Sequence, residues 1–315
     1  MRNSFLFLLS IVFVSCSKNN DLQLSNWEVL NTNTSQTIFD IDFSDNNNGL
    51  ALISIGSCII TNDGGESWIE KQIVSNENLV SCFELNKNEI FVGRNRFFKT
   101  SDGGLNFNEY GQGEIDYASS IKSIHFFDSS TGIVLKAGRI YKTYDGGQSW
   151  VEKYSQSTYS DFIEYSDNTL YVAGGITYDG NSFGELHKSE NQGETWAEIN
   201  LPMEIQNWQI NTIDFINSDI GFISTFENKI YKTLDGASSW SLVKDFNGSI
   251  YNLAFIDEQI GYLTSGDKIF KTTNGGSTWN MDYQGNIELY YIEKTENSIY
   301  VSGRDGIILK NNNPQ

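Results

Sequence analysis

The chain has 315 residues, with 40 acids against 21 lysines and arginines and a net charge of −19 at pH 7. A surface this acidic repels phosphate backbones and anionic lipid, which argues against nucleic acid as a partner. Two histidines are too few for a His-rich metal site, and two prolines beside 28 glycines point to short strands joined by tight turns.

Arg2 is followed by the apolar run FLFLLSIVFV at 5–14, then by Ser15-Cys16 and the polar stretch SKNND. Ten such positions are too few to span a bilayer, which needs roughly 20. This is the anatomy of a secretory signal. The Cys directly after a small residue resembles the bacterial lipoprotein signal, a resemblance that implies cleavage before Cys16 and acylation of Cys16. The expected organisation is a signal peptide at 1–15, a polar tether at 16–25 and a folded domain at 26–315, touching the membrane only through its lipid. An ordinary signal with an incidental Cys is the alternative. Ser17 resembles outer-membrane more than inner-membrane sorting, so the expected location is the outer membrane of a bacterial envelope. Losing 1–15 removes one arginine and no acid, leaving a net charge of −20. Cys58 and Cys82 remain, as buried thiols or as one bridge.

From residue 60 onward the chain repeats itself. Aligned on one acid or amide, the copies are TNDGGESW (Asp63), TSDGGLNF (Asp102), TYDGGQSW (Asp145), SENQGETW (Asn191), TLDGASSW (Asp235) and TTNGGSTW (Asn274), spaced 39, 43, 46, 44 and 39 residues apart. A period near ~40 with strand-like content indicates propeller blades of four strands each. The pattern Ser/Thr-x-Asp-x-Gly-x-x-Trp resembles the Asp-box, or bacterial neuraminidase repeat. Its chemistry suits a hairpin, since the Asp or Asn accepts loop amides and Gly supplies positive φ. These boxes are therefore read as structural, and no metal or cofactor is assigned to them.

The ends fix the blade count. A further box falls near Asn313, where LKNNNPQ ends without an aromatic strand, while Trp27 in NWEVL precedes Trp68 by 41 residues, one repeat. The expected fold is an all-β, seven-bladed propeller whose N-terminal strand completes the last blade, a closed ring without open edges and a monomer. In the third blade IKSIHFFDS is the innermost strand, TGIVLKAG the second, RIYKTYD the third and SWVEKYS the outer one. The boxes then share one face. Second-to-third-strand turns and interblade loops share the other, where propellers commonly bind.

That second face carries Gly93-Arg94, Gly138-Arg139 and Gly303-Arg304, three of the five arginines, with Arg96 nearby. Such arginines suit bidentate bonds to carboxylates; pairing with neighbouring acids is the alternative. Blade 4 lengthens on the same face, in GGITYDGNSFGE (174–185) and NLPMEIQNWQIN (200–211), bringing Tyr178 and Trp208, with Tyr117 and Tyr159 in nearby loops. Trp208 is either an exposed anchor or a cover over the core. Catalytic templates fail: there is no Gly-x-Ser-x-Gly elbow and no phosphate loop. Sialidases share the Asp-box but have six blades, and Tyr141 stands where their Arg-Ile-Pro signature has Pro. Two-propeller xyloglucanases need more chain, and no carboxylate pair stands out.

The boxes, the G-R/x-I-Y turns and stretches such as DEQIGYLTSGDKIFKTTNGGSTW together resemble single-domain Asp-box propellers of the photosystem II assembly-factor-like group, over residues 26–313. That resemblance implies a non-catalytic scaffold holding a membrane-protein client, partly through an arginine patch, and would cast Arg94, Arg139 and Arg304 as client contacts. The expected function is an envelope-anchored propeller that binds a protein or peptide client on its Arg/Trp face. A carbohydrate-binding protein or divergent glycosidase is the alternative.

Overall fold

The computed structural model describes residues 26–111, 119–155, 160–166, 169–179 and 181–315. The expected signal peptide, Cys16 and tether, and the loop residues Tyr117 and Tyr159, lie outside the described residues. The strands form seven four-stranded antiparallel sheets. Six blades run in sequence order over 38–72, 81–110, 121–155, 160–198, 210–245 and 252–284. In the seventh, at 289–311, the outer strand is Glu28–Val29, paired with Ile308–Asn311 in the register Glu28↔Lys310. The ring closes as its two ends predict.

Within each blade, burial follows from position. Second strands such as Gly49–Ile53 and Gly221–Thr225 are buried along their whole length, because neighbours cover both of their faces. Outer strands such as Val151–Ser155 and Ser241–Asp245 remain largely exposed. Between blades, aromatic rings stack: Phe43 on Tyr300 at 3.9 Å, Phe126 on Phe91 at 3.7 Å, Phe215 on Tyr171 at 3.8 Å and Phe255 on Phe222 at 3.4 Å. Six residues after each inner ring comes Gly49, Gly132, Gly221 or Gly261, where a Cβ would fall within 2.6 Å of that ring. The repeated glycine is a steric condition of the stack.

The Asp-box turn works through three hydrogen bonds. In blade 3, Thr143 Oγ1 donates to Asp145 Oδ1 at 2.8 Å and accepts the Gly147 N–H at 2.9 Å, while Asp145 accepts the Ser149 N–H at 2.9 Å. Asn191 and Asn274 make the same turn with an amide oxygen, accepting the Thr195 and Thr278 N–H groups at 3.0 and 2.9 Å. Ala237 takes the second glycine position at φ 71°, left-handed backbone that glycine occupies more cheaply.

One repeat feature escaped the box pattern. The residue before the box Thr, Ser or Asn is lysine in six blades, and in five its ammonium reaches the next blade: Lys310 to Gly64 O at 2.9 Å, Lys99 to Ser129 O at 2.8 Å and Lys142 to Gln192 O at 2.8 Å. Lys232 and Lys271 do the same to Glu258 O and Gln315 O. Blade 1 has Ile60 at this position. Cys58 and Cys82 are free and buried, so of the two alternatives the structure has thiols, and burial pushes the Cys58 thiol up to about 12. Among the described residues the one α-helix is Met203–Gln206, and no helix is long and apolar enough to cross a membrane.

Candidate functional site

Strands alternate direction within each blade, so second-to-third-strand turns and interblade connections open on the face opposite the boxes. Arg94 lies between strands Glu89–Gly93 and Phe97–Thr100, Arg139 starts strand Arg139–Thr143, and Arg304 opens the turn Arg304–Gly306. The last two follow or enter turns with positive φ at Ala137-Gly138 and Asp305-Gly306, which project the arginine at the rim. Arg94 and Arg139 sit on adjacent blades, and Arg304 two blades from Arg94.

Their partners differ. Arg139 pairs with Glu152 at 3.1 Å and Arg304 with Glu288 at 3.0 Å, all four side chains well exposed. Arg96 is held between Glu77 and Glu109, both at 3.1 Å, with its guanidinium over Phe98. Arg94 is half-buried and donates to Asn78 O at 3.3 Å, and its own carbonyl accepts the Ile121 N–H of blade 3 at 2.6 Å. Among the described residues no carboxylate stands within ion-pair distance of Arg94. Exposed pairs such as Arg139–Glu152 are worth ~0–1 kcal/mol, so a carboxylate arriving in better geometry can displace Glu152 or Glu288 at little cost.

Across the mouth, the lengthened loops of blade 4 present apolar side chains. Ile205 of the short helix is fully buried beside Leu201 and Ile210, pinning the loop. Trp208 follows it, its N–H on Ile205 O at 2.9 Å and its carbonyl close enough to Gly184 that a Cβ there would come within 2.3 Å. With its backbone fixed, the Trp208 side chain stays 36% exposed. Phe183 at the hairpin tip, Met203 on the loop and Phe226 at the next blade's turn are exposed as well. The sequence signal for these three is an apolar residue at a tip where turn residues are usual. Tyr178 ends strand Thr169–Tyr178 opposite Asn181, which places its backbone at the hairpin end on this face.

The central strands hold a second group that the sequence did not single out. Asp40 accepts the Cys82 N–H at 2.8 Å, Asp42 accepts the Glu84 N–H, and Asp214 accepts the Phe255 N–H at 2.5 Å, each from the next blade's innermost strand. Lys294 of blade 7 crosses to Asp214 of blade 5. Burial raises Asp40 to about 7, Asp42 to about 6 and Glu84 to about 8, and raises Glu293 beside them. Alternating Asp in IFDIDF was the available signal, but alternation reads as a solvated face until the ring closes around it. Asp40, Asp42 and Asp214 stitch blade to blade. Among the described residues no three His, Cys, Asp or Glu side chains converge as metal ligands.

The sequence profile described as photosynthesis system II assembly factor YCF48 matches residues 19–183 and 105–254. The chain is 24% identical over 269 residues to the photosystem II assembly lipoprotein Ycf48 of Prochlorococcus marinus (strain MIT 9312), covering 78% of each. Among solved structures it superposes on YCF48 bound to D1 peptide with a TM-score of 0.75 at 18% identity, covering 91% of this chain and 96% of that one. YCF48 from Cyanidioschyzon merolae gives 0.73 at 19% identity, covering 90% and 98%. A virginiamycin B lyase from Staphylococcus aureus gives 0.70 at 18% identity, covering 90% and 98%. Shape alone therefore groups binders with enzymes, and says only that the fold is shared.

Proposed function

The chain belongs to the photosynthesis system II assembly factor YCF48 family, and on that premise we propose that it is a non-enzymatic scaffold holding a protein or peptide client on the face opposite its Asp-boxes. The observation that carries this reading is Arg94, a guanidinium on that face that, among the described residues, has no carboxylate of its own, flanked by Arg139 and Arg304 in weak, exchangeable pairs. A client carboxylate bonds to Arg94 and draws Arg139 or Arg304 away from Glu152 or Glu288. Apolar client side chains then lie on Trp208 and its neighbours, with Tyr178 at the edge. A relative solved with a bound peptide supports this use of the fold. Acylation at Cys16 and the tether at 16–25 keep the propeller, as a monomer, at the outer membrane near its client.

The test is affinity purification of the lipidated protein from gently solubilised envelope, beside an Arg94→Ala/Arg139→Ala/Arg304→Ala variant with native circular dichroism. The expected result is a protein partner recovered with the native arginines and lost with the variant. Equal recovery by both would remove the arginines from the site. Recovery of a glycan abolished by Trp208→Ala would replace the reading altogether.

A further inference from the structure

Between blades 3 and 4, on the Asp-box face, the seam is closed by a carboxylate. Glu194 accepts Lys142 Nζ at 2.6 Å, Lys153 Nζ at 2.8 Å and the Tyr144 hydroxyl at 2.7 Å. Counting from the box acids, Ile60, Asn62 and Lys71 of blade 1 occupy the positions of Lys142, Tyr144 and Lys153, and Leu105 of blade 2 occupies that of Glu194. The seam between blades 1 and 2 thus has the same framework with the acid and one lysine replaced by aliphatic residues.

A cleft of about 350 Å³ stands there, with Ile60, Ile69 and Leu105 as its apolar wall and Lys71 and Lys87 at its edge. Ile69 is 57% exposed and Leu105 70%. Among the described residues neither lysine has an ion-pair partner. Two of the acids nearby are already engaged. Asp102, which also lines the cleft, is bonded to Thr100 and Asn106, and Asp45, whose field reaches Lys87, is bonded to Asn47 and Asn48. Two unpaired lysines beside exposed aliphatic surface are an anomaly in a chain of net charge −19. The surrounding acidic surface disfavours phosphate-rich partners, which need a broad basic field, whereas a single carboxylate needs only the local pair.

We infer that this cleft docks a segment of a partner protein carrying a carboxylate next to an aliphatic side chain. The carboxylate takes, from outside, the place that Glu194 fills between blades 3 and 4, and the aliphatic group covers Ile60, Ile69 and Leu105. This site lies on the face opposite the arginines and does not rest on the function proposed for them.

The probe is a set of acetylated, amidated decapeptides containing a Leu-Glu pair, each beside its Leu-Gln counterpart, titrated against the full chain. The Leu-Glu peptides are expected to bind at least about tenfold more tightly than their counterparts. Lys71→Gln should erase that preference, and Leu105→Glu, which supplies the carboxylate internally, should block binding. Leu234→Ala, at an exposed residue of the box face in blade 5, should leave binding unchanged. In the free protein, Leu105→Glu should raise the thermal midpoint by ~2 °C, and the gain should vanish when Lys71→Gln is added. Equal binding of acidic and amide peptides, no binding at millimolar concentration, or a Leu105→Glu midpoint indifferent to Lys71 would each overturn the inference. Self-association of the free protein abolished by Leu105→Glu would overturn the foreign partner and put a second copy in its place.

Discussion

Thr143 is fully buried, and its hydroxyl serves both the Asp145 carboxylate and the Gly147 N–H. Thr143→Val keeps the shape but orphans that N–H, so it should lower stability by ~1–3 kcal/mol in urea unfolding; an unchanged midpoint would mean the box hydroxyls are dispensable. Protons act at two kinds of acid with opposite sign. Asp40, Asp42 and Glu84 are raised, chiefly by burial, so their contribution is present at low pH and is lost as pH rises through about 7, 6 and 8 respectively. Asp102, held down to about 2 by Asn106, and Glu194, held down to about 2 by Lys142, lose theirs as pH falls from about 4 toward 2. The thermal midpoint should therefore peak near pH ~4–5 and decline toward pH ~8. Glu84→Gln should flatten the alkaline side, and a profile rising up to pH 8 would contradict the assignment. At this scale the box chemistry was legible, because each turn closes within seven residues or fewer. The central acids were not, because their meaning depends on amides about 40 residues away in the next blade.

At the scale of elements, the N-terminal strand is the closure of the ring. It has only two ladder residues, Glu28 and Val29, so its anchorage depends on Trp27, which is buried, donates to Asp282 at 2.7 Å and meets Tyr262 edge-on at 5.7 Å. Trp27→Ala should cost ~3–5 kcal/mol and speed hydrogen exchange first in Ile308–Asn311, the strand it uncovers. Exchange that accelerates evenly over all blades would show that closure is not the weak point. The strand order, the seventh blade and the lengthened loops of blade 4 could all be read from the ~40-residue period. The partners of the arginines could not. Glu152 reaches Arg139 across a strand pair with a β-bulge, and Glu288 comes from the interblade connection, so both pairings depend on register and loop path more than on spacing.

For the whole molecule, the ring divides its labour between two faces. Outside the cleft between blades 1 and 2 the box face is largely self-satisfied, its lysines spent on the neighbouring blade in five repeats, and the opposite face keeps Arg94, among the described residues, unpaired by any carboxylate and Trp208 uncovered. That asymmetry is the central claim, and it was half visible in the sequence: Gly-Arg turns and long loops marked the face, but only the folded ring shows which cations are already used. The most direct measurement is site-specific photo-crosslinking in the native envelope, with a benzophenone side chain placed in turn at Trp208 and at Leu234, an exposed residue on the box face of blade 5. The account predicts a discrete protein adduct from position 208 that disappears in the triple-arginine variant, and none of that mass from position 234. The same adduct from position 234 alone, or an adduct at 208 indifferent to the arginines, would contradict it.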